Sequence, residues 1–131
     1  MAKLTTDEAR KPARQYYDLA VALGEFRFDN WTAMTQPQRA ELESLEWMLL
    51  TQSSDMTTRA IFLATNDLHV SMKNISRATK GMTRAVKRIA DVKKVINVAS
   101  KALELGAALF TGNATAIASA ISAAVSVAGA D

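Results

Sequence analysis

Apolar positions recur with a helical period along most of this chain, and most strictly between Ile61 and Phe110. Every seventh residue there is apolar: Ile61, Leu68, Ile75, Met82, Ile89, Ile96, Leu103 and Phe110. Three places after each, down to Gly106, stand Ala64, Ser71, Ala78, Ala85, Val92, Ala99 and Gly106, nearly all of them small. A large a position with a small d position is a heptad seam over which a second helix can come close. The pattern predicts an interaction seam made of Ile61, Ala64, Leu68, Ile75, Ala78, Met82, Ala85, Ile89, Val92, Ile96, Ala99, Leu103 and Phe110.

The segments before the seam are shorter. Thr5-Thr6-Asp7-Glu8 has the spacing of a capping box. It predicts a helix to about Leu23, with Ala13, Tyr16, Tyr17, Ala20 and Leu23 inward, Pro12 marking its true start or a bend, and Gly24 ending it. Residues 25–34 carry Phe26, Phe28 and Trp31 without a helical period. A loop folded over the end of the core is the expectation, with an exposed anchor for a partner as the other reading. Thr35-Gln36-Pro37-Gln38 is a second capping box with proline in the first turn. The helix it opens, to about Leu50, should bury Leu42, Leu45, Met48 and Leu49. Thr51-Gln52-Ser53-Ser54-Asp55 should then turn the chain, because short polar side chains compete for backbone hydrogen bonds.

From about residue 55 to residue 111 only Gly81 argues for a stop, and the heptad runs through it in phase from Ile75 to Ile89. One continuous helix is therefore predicted. At 1.5 Å per residue it would be about 85 Å long, against a radius of gyration of about 14 Å for a compact chain of this size. Such a helix implies an elongated protomer or a homo-oligomer. Thr111-Gly112-Asn113 pairs a C-cap glycine with an N-cap asparagine. The last helix, with Ile117, Ile121 and Val125 on one face, should fold back antiparallel on Ala99 to Phe110 as a hairpin. The predicted fold is an all-α bundle of four or five helices in a single domain, 1–131. It comprises N-terminal helices with the aromatic loop (1–53), the heptad helix (54–111) and a small-residue C-terminal helix (112–131).

Charge changes this picture in one place. The chain of 131 residues has a net charge of only +3. Residues 1–72 hold seven basic and ten acidic side chains, whereas residues 73–101 hold nine basic and one acidic. Lys73, Lys80, Lys87, Lys94 and Lys101 share the outer f position of the heptad, with Arg77 and Arg84 beside them at c. Lysine at f keeps any helix wet, but an ordinary wet face mixes signs, and here only Asp91 interrupts the cations. A solvated face or an acidic partner on a neighbouring helix is the foremost reading of the stripe, followed by an anionic membrane surface and then a nucleic-acid backbone. No aromatic side chain lies within it to stack a base.

Candidate chemistry is sparse. There is no cysteine and a single histidine, His69. A zinc site needs three or four converging ligands, and a Ser–His–acid relay needs a histidine held by a buried carboxylate, whereas His69 falls at an outward b position. No glycine-rich phosphate loop is present. The sequence thus points to no enzyme, no cofactor, no metal and no small-molecule substrate. From Leu105 to Ala130 no residue is charged, but Thr111-Gly112-Asn113 breaks the run and Ser and Thr dilute it, so it falls short of a transmembrane span. Leu109, Phe110, Ile117, Ile121 and Val125 would make either an oligomer hairpin or a hairpin that leaves the bundle to enter a membrane. The first residues lack the apolar run of a signal peptide, which points to the cytoplasm or to signal-independent export. The foremost expectation is a non-catalytic interaction or self-assembly protein, followed by a soluble membrane-active protein and then a nucleic-acid-coating protein.

Overall fold

The computed structural model describes residues 6–58, 69–111 and 114–129. Five α-helices form among them: α1 (Thr6–Asp29), α2 (Gln36–Thr58), α3 (His69–Arg88), α4 (Val92–Thr111) and α5 (Ala114–Gly129), with one 3-10 turn, Trp31–Ala33, between the first two. The all-α bundle expected from the periodicity is the observed class.

The capping box at Thr35 is realised in full. The Thr35 backbone N–H donates to Gln38 Oε1 at 2.9 Å, and the Gln38 N–H donates to Thr35 Oγ1 at 3.3 Å. Its counterpart at Thr5 lies outside the described residues, as do Ile61, Ala64 and Leu68 of the seam. Elsewhere the helices are longer than local signals suggested. α1 runs through both Pro12 and Gly24 to Asp29. Gly24 is there for close approach: a Cβ on it would stand 2.9 Å from Glu46 Oε1 on α2. α2 runs through Thr51–Asp55, where a turn was expected. Tertiary partners engage the polar side chains that would otherwise unwind it. Ser53 Oγ donates to the Ala13 carbonyl of α1 at 2.6 Å, and Gln52 Nε2 donates to the Leu103 carbonyl of α4 at 3.0 Å.

The long heptad helix divides. α3 passes through Gly81, as the phase requires, but ends at Arg88, and α4 starts at Val92. Asp91 caps the new helix, its Oδ1 accepting the N–H of Lys93 at 2.9 Å and of Lys94 at 3.4 Å. An acidic cap at a helix N-terminus is worth about 1 kcal/mol, through its hydrogen bonds and the helix dipole.

The break also shifts the phase. On α3 the residues expected inward are inward: Ile75, Ala78, Met82 and Ala85 are buried, and Ile89 just beyond the helix is buried too. On α4 the buried line is Val95, Val98, Ala102, Leu105 and Leu109, one residue earlier than Ile96, Leu103 and Phe110, which are half-buried along with Val92. Ala99 remains buried on either phase.

Neighbour contacts run from α1 to α2, α4, α5, α3 and back to α1, so the helices close a ring around one core. α1 and α2 are antiparallel, as the pairs Ala13–Ser53 and Arg27–Glu46 show. Tyr16, Leu19 and Leu23 of α1 meet Leu42, Leu49 and Met56 of α2, Ile75 and Met82 of α3, Leu105 and Leu109 of α4 and Ile117 of α5, all essentially sealed from solvent. Each such side chain contributes about 1.5–3 kcal/mol by leaving water.

Candidate functional site

The inner side of the bundle is tied together by side chains that reach backbone. Tyr16, fully buried, donates its hydroxyl to the Ala102 carbonyl at 2.6 Å. Burial drives this phenol far above its ordinary range, and the Gly106 backbone pulls weakly the other way. One turn along α4, Gly106 leaves room for the Gln52 amide: a Cβ there would overlap it, standing 2.6 Å from Gln52 Cδ. Between α1 and α3, Gln15 Nε2 donates to Ser76 Oγ at 2.7 Å and Thr79 Oγ1 donates to Gln15 Oε1 at 2.8 Å. These bonds fix the helices against one another.

Of the described seam residues, Ile75, Ala78, Met82, Ala85, Ile89 and Ala99 lie inside the protomer, and Val92, Ile96, Leu103 and Phe110 are half-buried at its surface. The surface is where the chain differs from an ordinary bundle, and it is divided by chemistry.

On α3, Lys73, Arg77, Lys80, Arg84 and Lys87 are exposed, and Lys93 and Lys94 continue the exposure at the start of α4. Among the described residues none of these seven is in an ion pair. Lys101 stands apart, half-buried and paired with Glu104 at 3.2 Å. The break at Ile89–Asp91 is the reason: Lys94 and Lys101 belong to a different helix from Lys73, Lys80 and Lys87, so the five-lysine stripe does not extend along one axis.

Arg77, Gly81, Arg84 and Arg88 recur at i, i+4, i+7 and i+11 on one side of α3. With Ala78 of α3 and Val125, Ala128 and Gly129 of α5 they line a groove of about 250 Å³. Arg88 Nη2 donates to the Ala128 carbonyl at 3.0 Å and holds the C-terminal end of α5 in place. Arginine near the last carbonyls of a helix is favourably placed against its dipole. This groove was not foreseen, although the spacing of the arginines around a glycine was readable.

The α1–α2 pair carries the opposite character. Its exposed apolar side chains are Tyr17, Val21, Phe28, Trp31, Trp47 and Met48, and Val125 of α5 is the one large exposed apolar residue elsewhere among those described. The aromatic segment is therefore split. Phe26 is in the core, as a plug would be, but Phe28 is 81% exposed. Trp31 is covered in part by Arg39, whose guanidinium lies 4.5 Å from the ring centroid and also donates to the Trp31 carbonyl. Arg27 approaches the same ring at 6.0 Å while paired with Glu46 at 3.2 Å. Met48, expected inward, faces out at 49% exposure. α2 is a full helix whose core face is set by Leu42, Leu45, Leu49 and Met56, and Met48 falls to one side of it.

In the C-terminal part Leu109 and Ile117 are buried, Phe110 and Ile121 are half-buried, and Val125 is 51% exposed. Ala124 takes the inward place expected of Val125. Among the described residues no helix is long and apolar enough to cross a membrane, and no group of three or more His, Cys, Asp or Glu is placed to hold a metal ion. Comparison of the chain with protein-family models, with curated proteins and with solved structures finds no match.

Proposed function

We propose that this protein is a non-catalytic helical interaction module that holds an anionic partner on the outer face of α3. One observation carries the reading: five exposed cations on that helix and two more at the start of α4 stand without an ion pair among the described residues. Holding so many like charges together on one helix is unfavourable, since like charges at i, i+4 or i, i+3 repel. An anionic partner relieves the repulsion and releases counterions.

The structure supports this surface in two ways. α3 is fixed by its buried side through Ile75, Met82 and Thr79, so the outer residues are presented by a rigid element. Gln15, Tyr16, Gln52 and Ser53 make helix-to-helix hydrogen bonds inside the bundle, those of Gln15 with Ser76 and Thr79 holding α3 in its place. Insertion of the C-terminal helix into a membrane is a weaker reading here, because Ile117 and Ala124 would have to leave the core.

Sedimentation velocity at low and high salt, alone and with heparin or anionic liposomes, tests the proposal. The parent should gain mass with itself or with one of these polyanions at low salt and lose it at high salt. The variant Lys73→Glu, Lys80→Glu, Lys87→Glu should gain none from the polyanions. A parent that behaves like this variant under every condition would overturn the proposal.

A further inference from the structure

The two surfaces that stand out are complementary in detail. Phe28 projects from α1 and is 81% exposed, with Glu25 one turn before it and Asp29 next to it, both exposed and neither in an ion pair among the described residues. Arg27, the cation between them, is already engaged with Glu46 at 3.2 Å. The result is an aromatic ring flanked by two exposed carboxylates, which also line a cleft with Lys87 and Arg88 of the same protomer. The groove between α3 and α5 has the reverse make-up. Small residues, Ala78, Gly81, Ala128 and Gly129, line it together with Val125 and the guanidinium-bearing Arg77, Arg84 and Arg88. Gly81 keeps it open, with only the Ala128 methyl near the place where a Cβ would be, at 3.9 Å.

We propose that the groove receives Phe28 from a second copy of this chain, with Glu25 and Asp29 of that copy pairing with Arg77 and Arg84. The inference rests on the reading of α3 as an anionic-partner face and names the partner. Charge favours a second copy: residues 6–58 hold nine acidic and five basic side chains, and α3 holds six basic and none acidic. Each protomer therefore carries both halves of the contact. A guanidinium beside an aromatic face adds cation–π attraction to the ion pair, and a ring set among these small residues buries the most exposed aromatic of the described part. The two halves are different patches, so one copy's ring meets the other copy's groove, either reciprocally in a closed dimer or head to tail.

Because the halves are distinct, they can be disabled separately and recombined. Phe28→Ala keeps its groove; Arg77→Glu with Arg84→Glu keeps its ring. All of these residues are exposed, so circular dichroism melts of both variants should match that of the parent. Sedimentation velocity at low salt should show the parent associating, each variant alone associating at least about tenfold more weakly, equivalent to 1.4 kcal/mol, and an equimolar mixture of the two regaining association. A parent that stays monomeric at millimolar concentration while binding heparin or anionic liposomes would overturn this contact and leave the anionic-partner face standing. Self-association that persists in both variants would place the interface elsewhere and overturn the contact as well. Loss in each variant without recovery on mixing would do the same.

Discussion

Replacing Tyr16 with Phe removes one oxygen from the centre of the bundle, and its effect on stability should reverse with pH. At neutral pH the hydroxyl donates to the Ala102 carbonyl at 2.6 Å inside a fully buried site. Ala102 keeps its place in the α4 helix without it, and Phe leaves no donor unpaired. The loss is therefore that of one intramolecular hydrogen bond, about 1 kcal/mol. At high pH the balance changes. The folded-state pKa of Tyr16 is raised by burial, whereas in the unfolded chain the phenol ionises near its ordinary value of about 10. Above that value the unfolded state binds fewer protons than the folded state, so stability falls as pH rises. The slope approaches about 1.4 kcal/mol per pH unit, and the contribution is fully present below pH of about 10. By pH of about 11 the parent should have lost about 1.4 kcal/mol that Tyr16→Phe does not lose. The two stabilities should cross between those points. Urea denaturation followed by circular dichroism at a series of pH values gives both curves, and ionisation of the lysines, common to both proteins, cancels in the difference. A constant difference across the range would refute the placement of Tyr16 as a buried hydrogen-bonded phenol.

Four further outcomes follow from the packing. Leu105→Ala should cost about 2–5 kcal/mol, as a buried leucine does, and the half-buried Leu103→Ala clearly less; the reverse order in urea melts would restore an unbroken heptad phase through Ile89–Asp91. Asp91→Ala should cost about 1 kcal/mol by removing the α4 cap, measured in the same way. Gly106→Ala should destabilise by about 1–3 kcal/mol through overpacking against the Gln52 amide, despite the roughly 1 kcal/mol gain in helix propensity. Adding Gln52→Ala to it should restore most of the loss. A Gly106→Ala variant more stable than the parent would show that Gln52 does not hold that space.

How much of this could be read in the sequence depended on whether a signal had rivals. The box at Thr35 and Gln38 was legible because two reciprocal side-chain bonds and a first-turn proline agree. The passage through Gly81 was legible because Ile75, Met82 and Ile89 keep one phase on either side of it. Gly24 looked like a cap because its other use, letting Glu46 come close, depends on a residue on another helix. Gln52 and Ser53 looked like turn residues for the same reason, since their partners, Leu103 and Ala13, are remote in the chain. The slip on α4 was hidden by redundancy. Val95 beside Ile96, Ala102 beside Leu103 and Leu109 beside Phe110 let two phases read equally apolar, and only the cap at Asp91 and the ring of neighbouring helices choose between them. Of the candidate surface, the cations of α3 were legible by composition. The exposure of Phe28 was legible only as the alternative to a core plug, and that of Trp47 was not, because aromatic residues are presumed inward until the helices that would cover them are placed.

On the proposed function, α3 folds the protein with one face and binds an anionic partner with the other. The most direct test is sedimentation velocity at low salt on the Lys73→Glu, Lys80→Glu, Lys87→Glu variant, paired with its thermal melt by circular dichroism. The expected result is a melt close to that of the parent, because all three side chains are solvated, with heparin binding abolished and any self-association weakened through the lost positive charge of α3. A variant that melts like the parent and binds heparin as tightly as the parent does would contradict an anionic-partner role for this face.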